Sequence, residues 1–392
     1  MARRNLKRKR VEVEVESGPV TSKYFRKKEE EAPEAILQPQ VDFSKVKSMD
    51  SASYFHWINS CTNDEMNTDF SIKPQPNFPE NFIPIYSRVK LMRSKIVTPV
   101  DTVGCAMLPI TVNEKFGILK DDIRPQDYRL QLLMALMLSS QTKDETNAKA
   151  MHNVMKYCIE EMNYPRGIVL ESLLKIDEEV LDSLIHPVGF HSRKAKYVKL
   201  TVQKLLEEFD SDVPTDIQGL ISLPGVGPKM GFLTLQKAWG VVGGIGVDVH
   251  VDRLCKMWKW VDPNKCKTPD HTRKELEKWL PHELWYEINP LLVGFGQVIC
   301  MPRGKRCDLC LANDVCNSVD KKILKKGINL RKEISNSRGD YSELIKHLTQ
   351  NDTKAKQSGH EKSEDKDGPG EIKVKKETEE HATDMKSSIE NV

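Results

Sequence analysis

Between about Ile85 and Leu324 the apolar residues return at three- and four-residue spacing, which stacks them along one face of successive helices. That periodicity points to an all-α core. Thr142-Lys143-Asp144-Glu145 has the pattern of a capping box opening a helix with Met151, Val154, Met155, Cys158, Ile159 and Met162 on its inner face. A second helix is expected from Ser192, burying Ala195, Val198, Val202, Leu205, Leu206 and Phe209. Only Ile245, Val247, Val249 and Val251 alternate persuasively, and that stretch is short and glycine-flanked. The longest apolar run, Leu130–Leu138, contains Gln131 and falls far short of the ~18 residues a bilayer span needs, so no membrane association is expected.

The flanks read differently. At roughly 100–200 residues per domain, the 392 residues allow two or three units with disordered ends. Residues 1–28 are rich in Lys and Arg and poor in apolar material, and the Lys7-Arg8-Lys9-Arg10 block is a nuclear-import candidate or a plain electrostatic arm. Glu12, Glu14 and Glu16 speak against a mitochondrial presequence, although mitochondrial residence stays open beside the nucleus. Residues 1–99 are expected to be mostly disordered tail and linker, and residues 331–392 a second charged tail with Tyr341 its one aromatic. Lys375 lies in a Val-Lys-Lys-Glu match to a modification pattern too short to separate from chance. With a net charge of only +3, nucleic-acid binding has to be argued from local features.

One local feature is Leu223-Pro224-Gly225-Val226-Gly227-Pro228-Lys229. A dinucleotide-binding loop fits poorly, because Gly225, Gly227 and Gly231 give G-x-G-x-x-x-G without a surrounding βαβ unit. Two short helices joined by a glycine turn fit better, with Pro228 in the first turn of the second helix. Backbone N–H groups at that helix N-terminus can hold a DNA phosphate without reading sequence. A mere helix–helix corner would explain the glycines but not Lys229. The positive end of the helix dipole disfavours an ammonium there, and a neutral amine is a nucleophile. Its carboxylate partner is Asp248 in Gly246-Val247-Asp248-Val249-His250, which could equally be the N-cap of the next helix.

Four of the nine cysteines form C-x6-C-x2-C-x5-C at Cys300, Cys307, Cys310 and Cys316. An odd total in a chain read as reduced and intracellular suggests a metal before disulfides. Zinc and an iron–sulfur cluster both suit four thiolates, and spacing alone does not choose. The other cysteines, Cys105 among them, read as small buried hydrophobes.

Together, the glycine hairpin, the Val247-Asp248-Val249-His250 segment and the cysteine loop, in that order, resemble endonuclease III and the helix-hairpin-helix DNA glycosylases, over about residues 105–320, and within them a eukaryotic, fungal-type member. The resemblance implies a Schiff base at Lys229 assisted by Asp248, Gln141 in Leu138-Ser139-Ser140-Gln141-Thr142-Lys143-Asp144 filling the gap left by an extruded base, and His250 supporting the DNA backbone. It implies a 4Fe-4S cluster in place of zinc, presenting Arg303, Lys305 and Arg306 to phosphates. The Lys229-to-Asp248 spacing is one residue longer than in the bacterial pattern, with Gly243, Gly244 and Gly246 between. A shorter likeness, Ser22-Lys23-Tyr24-Phe25, resembles a box that docks on MutL-type mismatch-repair factors.

The expected architecture is a six-helix domain at 122–242 holding the helix-hairpin-helix and a cluster domain made of 100–121 plus 243–320, with DNA across the cleft. The expected activity is that of a monomeric bifunctional DNA glycosylase and abasic-site lyase removing oxidised pyrimidines such as thymine glycol and ring-opened purines. The alternative is a non-catalytic helix-hairpin-helix module with a structural metal loop.

Overall fold

The computed structural model describes residues 41–61, 72–325 and 339–349. These belong to one unit, Ala35–Val392; Lys7–Arg10, Ser22–Phe25 and Lys375 lie outside the described residues. Among the described residues the fold is helical, and pairing of extended backbone is confined to an isolated antiparallel bridge between Val97 and Asp340.

The helices pack around two hydrophobic cores. The first surrounds α6 (Pro125–Ser139), in which every residue from Leu130 to Leu138 is buried. A helix apolar on all sides has to lie inside other helices. Around it stand α2 (Ser51–Cys61), α5 (Leu108–Glu114), α7 (Asp144–Glu160), α8 (Leu170–Lys175), α9 (Glu178–Leu184), α10 (His191–Glu208), α11 (Ile217–Ser222) and α12 (Pro228–Trp239). The second core gathers α3 (Phe82–Arg93), α13 (Val249–Met257), α14 (Pro269–Glu277), α15 (Ile288–Val298) and the cysteine loop. Helix α1 (Phe43–Lys47) adds Val46 and Phe43 to the first core, α16 (Lys321–Leu324) buries no residue, and α4 (Pro99–Val103) sends Val103 to the first core and Val100 to the second.

Several expectations from sequence are corrected. Residues 41–61 and 72–99 are not simply linker, since Tyr54, Phe55 and Ile58 of α2 enter the first core, and Phe82, Ile85, Tyr86, Val89 and Met92 of α3 enter the second. Pro84 disguises α3, yet it falls in the first turn, where a missing N–H breaks no intrahelical bond. Helix α5 joins the first core, so 100–121 does not group wholly with the cluster segment. The 339–349 segment also packs: Tyr341 and Leu344 are buried, and the Tyr341 hydroxyl donates to Val298 O at 3.1 Å. Thr142 does not cap α7, whose N-cap is Lys143 without a side-chain bond. Leu206 turns out to solvent, one position off the buried stripe of α10. The alternating valines form no strand; Ile245 and Val247 are buried in a loop, while Val249 and Val251 open α13.

A buried ion pair lies inside the first core. Arg129 of α6 meets Asp212 through two bonds of 3.0 and 2.6 Å, and its guanidinium lies 4.3 Å from the Trp239 ring at the end of α12. Tyr54 donates to Ala238 O at 2.7 Å, so α2 braces the same end of α12. Because both charges of the Arg129–Asp212 pair are buried, removing one strands the other. Asp212→Ala is expected to destabilise the protein by about 3–5 kcal/mol, read from urea unfolding midpoints.

Candidate active site

Asp216 opens α11 by accepting from Gly219 N at 2.8 Å, and the buried Leu223 and Val226 pin the turn that follows. The three glycines of this hairpin do different jobs. Gly225 has φ +80°, and a Cβ there would come within 2.4 Å of the Tyr197 ring. Gly231 lets α12 lie against α11, where a Cβ would stand 2.6 Å from Ile217. At Gly227, the N-cap of α12, a Cβ would meet nothing within 4 Å, so the space beside the start of that helix is open.

Lys229 follows in the first turn of α12, half-buried, without a hydrogen bond or ion pair among the described residues. The chain then returns from α12 to Asp248 through a loop drawn tightly onto the helix. Gln236 donates to Gly244 O at 2.7 Å, Glu277 accepts from Ile245 N at 2.8 Å, and Asn289 donates to Gly246 O at 2.5 Å. A Cβ on Gly244 would lie 2.5 Å from Phe232, and one on Gly246 2.5 Å from Leu233. The longer spacing is therefore absorbed in a loop fixed at three backbone points.

Asp248 is indeed the N-cap of α13. Its Oδ1 accepts from His250 N at 2.9 Å and Val251 N at 2.8 Å, which locks the carboxylate and leaves Oδ2 without a partner among the described residues. Capping therefore leaves one carboxylate oxygen of Asp248 available to the site.

Asp144 completes the constellation. Burial raises its carboxyl above the usual range; Gln297, donating at 2.6 Å, and Lys229 pull it down, and Glu145 and Asp248 push it up. Cys105, expected in a core, stands here too, its thiol raised by burial and lowered by Lys229. His250 packs against Gly296 with Nδ1 buried and unpaired; burial first, then Arg253, favours its neutral ring, while Asp248 and Asp144 oppose. Asp144 thus interacts with each of Lys229, Asp248, Cys105 and His250 and sits at the centre of the group. Asp144, Cys105 and Gln297 were not singled out from sequence, because 153 residues separate Asp144 from Gln297.

At the end of α6, Gln141 is exposed at a backbone φ of +54°. Beside it stands Phe190, missed from sequence, which is 57% exposed with φ +59°. The cysteine loop begins at the end of α15. Arg306 forms a bidentate pair with Asp308 at 3.0 and 2.7 Å, and Lys305 lies against the Met257 sulfur, so Arg303 is the exposed cation of the three. Burial raises Cys300 and pushes Cys310 up to about 12, with the other cysteines of the loop adding to the effect. The terminal nitrogens of Arg253 are buried without oxygen partners and act on the Cys300 thiol. Among the described residues no three His, Cys, Asp or Glu side chains form a group that could hold a metal ion.

Residues 134–282 match the HhH-GPD superfamily base excision DNA repair protein family. The chain is 52% identical over 344 residues to endonuclease III homolog 2 of Saccharomyces cerevisiae, covering 82% of this chain and 89% of that protein. It is 47% identical over 351 residues to endonuclease III homolog 1 of the same yeast, covering 87% of each. Among solved structures, a trapped endonuclease III–DNA covalent intermediate aligns with 54% of this chain and 92% of its own, at 24% identity and TM-score 0.43. The chain is therefore a helix-hairpin-helix protein of the base-excision-repair superfamily. Within it, the chain belongs to the endonuclease III family.

Ionised Asp144 opposes folding at neutral pH, because its folded pKa is raised above the unfolded value. That cost is absent below the ordinary carboxylate range, where both states are protonated, and grows as pH rises through the folded pKa. Asp144→Asn, which can still accept from Gln297, is expected to raise the urea midpoint near pH 7, with the difference vanishing below about pH 4.

Proposed function

We propose that this protein is a bifunctional DNA glycosylase and abasic-site lyase that removes oxidised pyrimidines, thymine glycol among them, and ring-opened purines in base excision repair, using Lys229 as its nucleophile. The observation that carries the reading is the unpaired amine of Lys229 at the start of α12, in the field of the Asp144 carboxylate, which in turn feels Asp248 at the start of α13. The Lys229 nitrogen attacks C1′ as the bond to the damaged base breaks; the base leaves with the bonding electrons and takes a proton. Asp248, its Oδ1 held by the cap, receives the proton from the attacking amine and stabilises positive charge on the sugar. The C1′–O4′ bond then breaks as the nitrogen lone pair forms the C=N bond and O4′ takes a proton; the resulting imine acidifies the 2′ hydrogen, and its loss expels the 3′ phosphate by β-elimination.

The open N-terminus of α12 at Gly227 supports phosphate binding, and the exposed pair Gln141 and Phe190 supports filling of the stack after extrusion. Gly225 serves the turn's shape, and Arg303 is the loop cation left for the DNA backbone. Cys300, Cys307, Cys310 and Cys316 fit a 4Fe-4S cluster through their four-thiol donor set and the unpaired, buried Arg253 facing Cys300. Such a cluster would crosslink the loop to the second core. Nuclear residence, service in mitochondria and docking of Ser22–Phe25 on a MutL-type factor extend the proposal.

Single-turnover cutting of a thymine glycol duplex tests the reading. Lys229→Gln is expected to bind duplex and to lose cutting, whereas a non-catalytic module would show no turnover to lose. Asp248→Asn is expected to slow base release by roughly 10²–10⁴-fold. The purified protein is expected to contain iron and sulfide and to absorb broadly near 400 nm, at about four irons per chain; zinc without colour would contradict the cofactor assignment.

A further inference from the structure

One buried cation ties together the turns that carry Gln141 and Phe190, and the chemistry at Lys229 has no use for it. Lys194 lies one turn into α10, 6% exposed, and its Nζ donates to Leu138 O at 2.6 Å, Ser140 O at 2.6 Å and Thr142 Oγ1 at 3.2 Å. All three ammonium hydrogens are thereby engaged. The Leu138 carbonyl belongs to the last turn of α6, where a helix has no partner of its own to offer. The acceptors bracket Gln141, whose left-handed backbone is unfavourable for a residue with a side chain.

Lys194 is also linked to Phe190, the N-cap of its own helix: Lys194 N donates to Phe190 O at 3.1 Å. Between the turns Gly189 leaves room for contact, since a Cβ there would lie 3.0 Å from Gln141 O. Two exposed side chains on two left-handed residues, from segments nearly fifty residues apart, are thus joined through one residue, whose ammonium holds the Gln141 turn and whose backbone N–H holds Phe190. Burial lowers Lys194 to about 8, the nearby Cys105 opposing, and the three bonds keep such a costly group in place.

We propose that Lys194 is a positioning residue that staples the Gln141 and Phe190 turns into one rigid two-pronged wedge for the gap left by an extruded base. The inference rests on the glycosylase reading. A cap needed only for folding would depress every activity alike. A wedge staple matters where there is a base stack to fill, and a single-stranded abasic oligonucleotide has none.

Full-length protein and its Lys194→Met and Gly189→Ala variants are compared on two substrates, a thymine glycol duplex and a single-stranded abasic oligonucleotide trapped with borohydride. Wild type is expected to react with both. Each variant is expected to lose roughly 10–100-fold in single-turnover excision from duplex while trapping the single strand at the wild-type rate. A 2-aminopurine beside the lesion is expected to show a smaller fluorescence rise with either variant. Wild-type duplex excision by Lys194→Met, or an equal loss on both substrates from folded protein, would overturn the staple. Should Lys194→Met not fold, Gly189→Ala decides, because it keeps the lysine and displaces only the Gln141 turn; undiminished duplex excision would then contradict the proposal. Failure of wild type on both substrates would overturn the glycosylase reading, and the staple with it.

Discussion

The site depends on how closely the backbone of residues 243–248 can lie on helix α12. Gly244 and Gly246 leave no room for a Cβ against Phe232 and Leu233, and side chains from α12, α14 and α15 hold the three peptides between them. This contact turns a loop, ordinarily the variable part of a protein, into a fixed bracket between Lys229 and Asp248. Because the helices that carry Glu277 and Asn289 pack in the second core and the helix that carries Gln236 packs in the first, the bracket also links the two cores.

The same economy appears in the caps. Asp248 uses one oxygen to fix α13 and keeps the other for the site, so the residue that ends the loop is oriented by the helix it begins. Lys194 caps α6 and orders the turn beyond it. Helix termini leave backbone groups unsatisfied, and here the side chains that satisfy them sit beside the chemistry.

Much of this was legible in the chain itself. The hairpin could be read because a glycine turn followed by Pro-Lys is an unusual local pattern, and the helical nature of the stretch from α7 to α15 followed from spacing. What escaped reading was long-range or disguised. The Asp144–Gln297 bond depends on elements that only the fold brings together. Phe190 and Gln141 owe their projection to left-handed backbones that no residue type there announces. Helix α3 hid behind Pro84, and 339–349, with few apolar residues, packs through Tyr341 and Leu344 and the bridge to Val97. Arg306 looked free for DNA in the sequence, yet Asp308 two residues on engages it.

The most direct measurement is peptide mapping by mass spectrometry of the borohydride-reduced adduct between full-length wild-type protein and an abasic-site duplex. The sugar remnant is expected on Lys229 alone. A remnant on another amine, Lys194 included, or a folded, iron-containing protein that forms no adduct, would contradict the account.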